Sequence, residues 1–582
     1  MPASGTHLFR LTCILLGLLF DLCTASATSV LSWAGALTPT SARLAVRPPG
    51  SVGTVLVAER SDLAAPVARL AVTRDTFLAD ISGLRPDTTY FYGLEGVRVP
   101  PGEFKTPSVS PRAPLRVALG SCSWTQGNGG VFESIAALEP RPLAFVHAGD
   151  LHYADIAENR LPLFEDAFHQ VHLHEQKELF RTMPIMYTWD DHDYGSNNAG
   201  GSSASKPAAM AAFRKFVPAL LACEQGPFAA DCVRDGGIFQ AYEIQGVLFI
   251  LTDLRSQSTE GSTLGDGQRK WLIGLLARWR EWRLIVWVSS KPWLGVGGDS
   301  WGSYPDERLL ISDAIASAGV RNLIMVAGDA HMLAVDDGSN TDFSSVSGIA
   351  RGNASARAGF PLFQVAPLAG TGSSKSGPYS HGCMAYKFFV NHQFGILDID
   401  DGDEGSVCVT FRGMTATGAR QGMLLKTCAG TRDPGGIRGL VRKGSRTSTS
   451  GDVCPLPWAP GGIMAMVVLS GVFVVVCVVC DLLVVTGRAG HLLDLTRGAT
   501  APPRMPRAVR GAPAHDSNDE CQAAAAEVGS QSPHVPGTQT PGFHGQSCWR
   551  YAAIALGLCH VAALVLLIVP VSLVIVPLRS KG

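Results

Sequence analysis

Six short apolar runs between residues 115 and 326 constrain the fold of this 582-residue chain more than any other feature. They occupy residues 115–119, 143–146, 185–188, 247–252, 284–288 and 323–326. Continuous apolar runs of this length are typical of strands that are buried on both faces of a sheet. Helical spacing appears between them at residues 155–182 and 265–283. The pattern predicts a layered α/β fold over residues 109–430.

Each of these predicted strands ends in residues that can take part in catalysis or bind a metal. The segments are Gly120-Ser121-Cys122, Gly149-Asp150-Leu151-His152-Tyr153, Trp189-Asp190-Asp191-His192-Asp193, Asp253-Leu254-Arg255, Ser289-Ser290-Lys291 and Gly328-Asp329-Ala330-His331. Ligands in open α/β sheets bind beyond the carboxyl ends of the strands, so we expect these side chains to meet in one crevice. Carboxylate, imidazole, thiolate and phenolate groups together are typical of a site for two or more cations. Each segment alone has an ordinary alternative, because Gly-Asp is a common turn and Asp-Asp-His-Asp can be a solvated loop.

Taken in order, these segments, apart from Ser289-Ser290-Lys291, resemble the calcineurin-like metallophosphatases and, within them, the PhoD-like alkaline phosphatase/phosphodiesterase family. Asn197 and the segment Tyr304-Pro305-x-Glu307-Arg308 extend the match, which covers about residues 30–430. One departure is Asp193, which stands where the family often has Glu. The resemblance implies a four-layer αββα sandwich and a hydrolase that cleaves phosphomonoesters or phosphodiesters through a metal-bound hydroxide.

The same resemblance implies a centre of two metal ions that are bridged by Asp150. One ion would be Fe³⁺, and the other a divalent metal that we expect to be Ca²⁺. The ligands of the iron would be Cys122, Tyr153 and His331, and those of the second metal would be Asp191, Asn197 and Asp329. A cysteine that binds iron has to stay out of disulfides, which suits the odd number of cysteines in residues 28–460.

The expected chemistry follows from the two cations, which would neutralise the phosphate oxygens and lower the pKa of a bound water. His192 is placed to donate a proton to the leaving group, or to stabilise the transferring phosphoryl group, with Asp193 orienting its ring. Arg255 would offer a planar fork to phosphate oxygens, with a structural salt bridge as the alternative. Lys291 is expected to be a solvated loop residue.

Residues 28–108 show a different pattern, in which apolar and polar side chains alternate between turn residues. The alternation predicts a small fibronectin-III-like β-sandwich, because the segment from Gly83 to Tyr92 looks like the tyrosine-corner region of such domains. No catalytic cluster falls within it, so we expect a scaffold or a lip over the active site. Local spacing favours disulfides at positions 223–232 and 408–428.

The two ends of the chain predict targeting and membrane segments. Residues 1–27 resemble a secretory signal peptide, with an N-terminal anchor as the alternative. Residues 462–486 and 551–577 are apolar enough for two transmembrane helices, with buried globular helices as the alternative. Residues 431–461 would be a juxtamembrane linker, 487–550 a disordered cytoplasmic loop and 578–582 a tail. Together they predict a protein anchored in the lipid bilayer through two helices, with its catalytic domain extracellular or luminal.

Charge and motif content narrow the possible functions. The formal net charge of −1 gives no indication of nucleic-acid binding, which normally needs a basic excess. The resemblance to the PhoD-like family implies a phosphate ester as the substrate. An inactive ectodomain that serves as an adhesion or receptor module is one alternative, but no matched ligand position is missing. A transporter or channel is another, although the predicted membrane segments contain no charge pair.

Overall fold

The computed structural model describes residues 30–222, 228, 236–295, 298–346, 358–373, 376–384, 390–402, 406–416 and 420–429. The predicted signal peptide (1–27), linker (431–461), transmembrane helices (462–486 and 551–577), cytoplasmic loop (487–550) and tail (578–582) lie outside these residues, as do Cys223 and Cys232. Within the described residues, no helix is both long enough and apolar enough to cross a bilayer. This finding contradicts the membrane localisation predicted from the sequence, and we do not retain that prediction.

The first strands form two small antiparallel sheets. The strands are β1 (Ser32–Thr38), β2 (Ser41–Val46), β3 (Val52–Ala58), β4 (Ala68–Thr73), β5 (Leu78–Ser82), β6 (Thr89–Leu94) and β7 (Gly102–Lys105). Within the described residues their orders are β1-β2-β5 and β4-β3-β6-β7. Alternation along β6 buries Tyr90, Tyr92 and Leu94 on one face. The Tyr90 hydroxyl accepts a hydrogen bond from the Arg85 backbone N–H at 2.8 Å, which ties the strand to the preceding turn.

The remaining strands and helices alternate along the chain from residue 115 onward. The strands are β8 (Leu115–Gly120), β9 (Ala144–Ala148), β10 (Ile185–Thr188), β11 (Gln240–Ile244), β12 (Val247–Leu251), β13 (Leu284–Ser289), β14 (Leu323–Ala327), β15 (Leu333–Asp336), β16 (Leu362–Val365), β17 (Gly370–Thr371), β18 (His381–Met384), β19 (Val390–Asn391), β20 (Gln393–Asp401), β21 (Val407–Thr415) and β22 (Arg420–Ala429). The α-helices are α1 (Val131–Ala136), α2 (Leu161–Val171), α3 (Gln176–Thr182), α4 (Asp191–Tyr194), α5 (Lys206–Phe216), α6 (Gly265–Ala277) and α7 (Pro305–Ala318).

Two large mixed sheets are built from these strands. Over the described residues, their orders are β10-β9-β8-β20-β21-β22 and β11-β12-β13-β14-β16-β15-β18. Strands β8, β9 and β10 run parallel to one another, and so do β12, β13, β14 and β16. The parallel strands therefore direct their carboxyl ends, and the segments that follow them, to a common edge of each sheet. The prediction of a mixed α/β fold is confirmed.

The inner faces of the two sheets share one hydrophobic core. Val117 and Val146 from the first sheet belong to the same buried cluster as Phe249 and Val286 from the second. The outer face of the first sheet packs against α2, α3, α5 and the amino-terminal strands. The outer face of the second sheet packs against α6 and α7. Both faces of the parallel strands are thus buried, which explains why they are continuous apolar runs in the sequence.

One disulfide lies between neighbouring strands of the first sheet. Cys408 of β21 is paired with Cys428 of β22, and their sulfur atoms are bonded at 2.02 Å. This confirms the local pairing expected from the sequence. Cys122 is buried and forms no disulfide within the described residues.

Candidate metal centre

The residues that follow the parallel strands adopt backbone conformations that are unusual for side chains other than glycine. Cys122, Asp150, Asp329 and His331 have φ angles of 59°, 56°, 63° and 49°. A residue with a Cβ in this left-handed region costs about 1–3 kcal/mol, and such strain persists only where surrounding contacts hold it. Strained residues of this kind concentrate at functional sites, and here all four carry metal-binding atoms.

Glycines immediately before two of these aspartates allow the strand ends to approach closely. A Cβ on Gly149 would lie 2.6 Å from the Cβ of Asp190. A Cβ on Gly328 would overlap the carbonyl oxygen of Ala148. The Gly-Asp pairs are therefore more than turn signals, because each lets an aspartate enter a crevice that a larger residue would close.

Asp150 is the residue at which the candidate ligands meet. Three groups of side chains each place their ligand atoms within 4.8 Å of one another, and all three contain Asp150. The groups are Cys122, Asp150 and His331; Asp150, Asp191 and His192; and Asp150, Asp190, Asp191 and Asp329. The first offers sulfur, oxygen and nitrogen, whereas the last offers oxygen alone. A carboxylate shared by two different ligand sets is suited to bridging two cations.

Tyr153 and His331 complete the first ligand group. The Tyr153 hydroxyl donates to Asp150 Oδ2 at 3.0 Å and lies 3.0 Å from His331 Nε2. The other ring nitrogen of His331, Nδ1, lies 2.7 Å from the carbonyl oxygen of Thr371, which can only accept. Nδ1 therefore carries the proton, and Nε2 presents its lone pair to the centre, which is the tautomer that a metal-binding histidine needs.

The electrostatics of the cluster also fit bound cations. Burial, together with the neighbouring Asp191 and Asp190, raises the pKa of Asp150 well above its usual range. Burial likewise raises the pKa of Asp190. Asp150 Oδ1 and Asp190 Oδ2 are buried and have no hydrogen-bond partner among the described residues. Buried carboxylates crowded in this way are costly unless positive charge compensates them, and the donor atoms present suit metal ions.

His192 lies at the exposed side of this centre. Its ring packs against that of Tyr153, with centroids 4.2 Å apart, and its Nδ1 lies 2.7 Å from Asp155 Oδ1. The expected partner, Asp193, does not orient it. Asp193 instead accepts hydrogen bonds from the backbone N–H groups of His152 at 3.1 Å and Asp190 at 3.0 Å. Asp193 thus stabilises the first turn of α4, and Asp155 fixes the imidazole.

Arg255 occupies a different place from the one expected. Its side chain is 1% exposed, and the guanidinium bonds to Asp190 and, through both terminal nitrogens, to Asp299. It also lies 3.2 Å from Asp191. Carboxylates already occupy the planar fork, so the prediction that it binds phosphate oxygens is not supported by this geometry. The alternative, a structural salt bridge, describes the arrangement.

Comparisons with known proteins identify the family that part of this chain resembles. Residues 249–360, from β12 to the segment before β16, match the family model described as PhoD-like phosphatase. Over this segment, which is less than half of the 582-residue chain, the protein is similar to the PhoD-like phosphatase family. This match confirms the resemblance drawn from the strand-end motifs, and it supports a hydrolase of phosphate esters.

Comparisons with solved structures and with curated proteins show only the fold. A structure described as "Structure of PhoD" is 16% identical, covers 73% of this chain and 94% of that chain, and has a TM-score of 0.52. At this identity the match shows the fold alone. A computer-redesigned β-sandwich protein is 20% identical over 14% of this chain and 93% of that chain. Its TM-score of 0.12 is too low to support any conclusion about structure. No curated protein matches the chain.

Asn197 and Lys291 lie in environments that differ from those predicted from the sequence. Asn197 is exposed on the turn after α4, and no contact of its side chain with the carboxylates is found among the described residues. Lys291 is buried rather than solvated, and it lies 3.2 Å from Asp299 and 5.2 Å from the centre of the Tyr304 ring.

Sequence reasoning also missed three carboxylates: Asp155, Asp190 and Asp299. Asp190 belongs to the Asp-Asp-His-Asp segment, in which the resemblance implied its neighbour Asp191 as the metal ligand. Asp155 follows Tyr153 by two residues, so its closeness to a strand end was a usable signal. Asp299 lies in the segment between β13 and α7, and nothing in its local sequence marks it.

Proposed function

We propose that this chain hydrolyses phosphate monoesters or diesters with two cations held around Asp150. The observation that carries the proposal is the sharing of Asp150 between a mixed sulfur, nitrogen and oxygen ligand group and an all-oxygen group. When bound, the cations would neutralise the phosphate oxygens and lower the pKa of a water molecule.

The two ligand groups favour different metals. Cys122, Tyr153 and His331 would hold Fe³⁺ beside Asp150, because thiolate and phenolate are anionic donors that suit a trivalent ion. Asp191 and Asp329 would hold the second, oxygen-preferring metal, for which Ca²⁺ is our proposal. Asp190, which has a buried oxygen at the cluster, takes the place that we first expected for Asn197.

His192 would act as the proton donor to the leaving alkoxide. Asp155 holds Nδ1 of the ring, which leaves Nε2 as the nitrogen that can deliver a proton at the mouth of the centre. Buried Arg255 would act on the chemistry only indirectly, by holding Asp190 and Asp191 in place.

The first experiment asks whether the chain has the activity and the metals. Purified protein should hydrolyse nitrophenyl phosphate or bis(nitrophenyl) phosphate, lose activity when a chelator removes the metals, and recover it when metals are restored. Elemental analysis should find iron and a second metal. Failure to hydrolyse either ester in the presence of these metals would overturn the proposal.

The second experiment concerns His192, which also lies within the ligand group of Asp150 and Asp191. His192→Ala should lower turnover of alkyl phosphates by roughly 10²–10⁴-fold, while metal content stays near normal. The loss should shrink for nitrophenyl esters, because nitrophenolate leaves without protonation. Asp191→Ala should instead lose metal and activity together for every ester. A His192→Ala protein without metal would show that the imidazole is a ligand.

A further inference from the structure

A pocket of about 520 Å³ opens beside the metal centre. Its lining includes Tyr153 and Asp155 near the metal centre, and Leu163 and Gln170 of α2. The volume falls within the ~300–1,000 Å³ that is usual for sites of small molecules. Asp155 and Tyr153 also contact His192. The pocket therefore adjoins the group that we propose as proton donor to the leaving alcohol.

The charged residues of the pocket have one sign. Asp155, Glu158 and Asp166 line it, and its described lining contains neither lysine nor arginine. Apolar side chains, among them Ile156 and Leu163, make up much of the rest. Such a lining repels an anionic leaving group, such as a second phosphate or a carboxylate, and attracts a positive charge carried on an apolar frame.

A buried histidine also belongs to the lining of the pocket. His152 lines the pocket, is 1% exposed, and its Nδ1 accepts a hydrogen bond from the Ala154 backbone N–H at 3.4 Å. The neutral ring therefore carries its proton on Nε2, which has no hydrogen-bond partner among the described residues. Because Nδ1 accepts a hydrogen bond, the ring is neutral and adds no positive charge to the lining.

We propose that this pocket receives the leaving alcohol of the phosphate ester and selects an alcohol that carries a positively charged nitrogen. The inference rests on the proposed function, because it needs the phosphate at the metal centre and the proton donor at His192. It adds the chemical class of the substrate, which is an ester of an amino alcohol or a quaternary ammonium alcohol. The pocket has room for an alcohol larger than the simplest members of this class.

Two probes of the same shape isolate the charge. Phosphocholine and 3,3-dimethylbutyl phosphate differ only in the replacement of the quaternary nitrogen by carbon. The full chain loaded with metals should show a higher kcat/KM for phosphocholine, and the ratio should fall as salt is added. Glu158→Gln and Asp166→Asn should each lower the ratio by about two- to five-fold, as expected for partly exposed charges. Glu139→Gln, which removes an exposed carboxylate outside the lining, is the matched control and should leave the ratio unchanged.

The outcomes separate this inference from the proposed function. Equal kcat/KM values for the two probes, or a ratio unaffected by both pocket variants, would overturn the amino-alcohol pocket while leaving the phosphohydrolase intact. Absence of hydrolysis of nitrophenyl phosphate by the metal-loaded protein would overturn the proposed function itself. Neither Glu158→Gln nor Asp166→Asn removes a proposed metal ligand, so the metal content and the melting temperature of each variant serve as the check that it is folded.

Discussion

Replacing Arg255 with methionine tests whether this guanidinium holds the carboxylate cluster together. The side chain is 1% exposed and bonds to Asp190 and Asp299, with Asp191 at 3.2 Å. Removing one partner from a buried charge pair costs about 3–5 kcal/mol, because the charge that remains is unpaired in a medium of low dielectric constant. Arg255→Met should therefore lower the free energy of unfolding of the metal-free protein by about 3–5 kcal/mol.

The corresponding change in melting temperature can be worked out from the size of the protein. Unfolding entropy is about 2.1 cal/mol/K per residue, so for roughly 400 structured residues 1 kcal/mol corresponds to about 1.2 °C. The expected fall is about 4–6 °C, measured by calorimetry after treatment with a chelator. Metal-saturated protein should lose less, because bound cations would neutralise part of the carboxylate charge that Arg255 otherwise balances.

Arg60→Met is the matched control for this experiment. Arg60 pairs with Asp62, but these side chains are 71% and 50% exposed, so the variant should melt with the wild type. The competing interpretation, in which Arg255 binds phosphate, makes the opposite prediction. If the variant keeps its melting temperature but shows a raised KM, the structural role of Arg255 would be refuted and its side chain would be a phosphate ligand.

Two further predictions concern pH and metal identity. His172 packs against Trp33 and Phe180, and burial lowers its pKa from 6.5 to about 3. The folded protein therefore keeps this imidazole neutral, whereas the unfolded chain protonates it below about pH 6.5. The free energy of unfolding should therefore fall as the pH drops below 6.5, by about 2 kcal/mol at pH 5. His172→Phe should remove this part of the acid sensitivity, which thermal melts at about pH 7.5 and pH 5 would measure. If Fe³⁺ is bound by the Tyr153 phenolate, the protein should absorb visible light by charge transfer, and Tyr153→Phe should bleach it without unfolding; colourless, iron-free protein with full activity would refute the iron assignment.

The strands around the site could be predicted from sequence because burial leaves a local signature. The run at residues 115–119 became β8, and that at 284–288 became β13, each within a residue of its expected end. The location of the Gly-Asp and Asp-Asp-His-Asp segments could be predicted as well, because parallel strands bring their carboxyl ends to one edge of a sheet. Cys122, Asp150, Tyr153, Asp191, Asp329 and His331 were all found at that edge.

What could not be predicted are the contacts between charges that lie far apart in the chain. Arg255 and Asp299 are separated by 44 positions, and only the folded structure shows that they bond. Lys291 likewise looked like a solvated loop residue because its partner Asp299 lies in a segment without a recognisable pattern. Whether a charged side chain serves substrate or structure depends on such partners, and a single sequence does not display them.

The segment from Asp190 to Asp193 shows how a short helix assigns different tasks to adjacent ionisable residues. Successive side chains on an α-helix point about 100° apart, so adjacent residues of α4 can reach different partners. Asp191 belongs to the ligand group of Asp150, His192 turns towards Asp155, and Asp193 turns back to the backbone N–H of Asp190. That last contact is a capping interaction of the helix start. The third helical position commonly has Glu in this interaction, but any carboxylate that reaches the backbone N–H can make it. The replacement of the family's Glu by Asp193 is therefore compatible with an intact site, because the residue supports the turn that presents His192 and does not itself need to reach the ring.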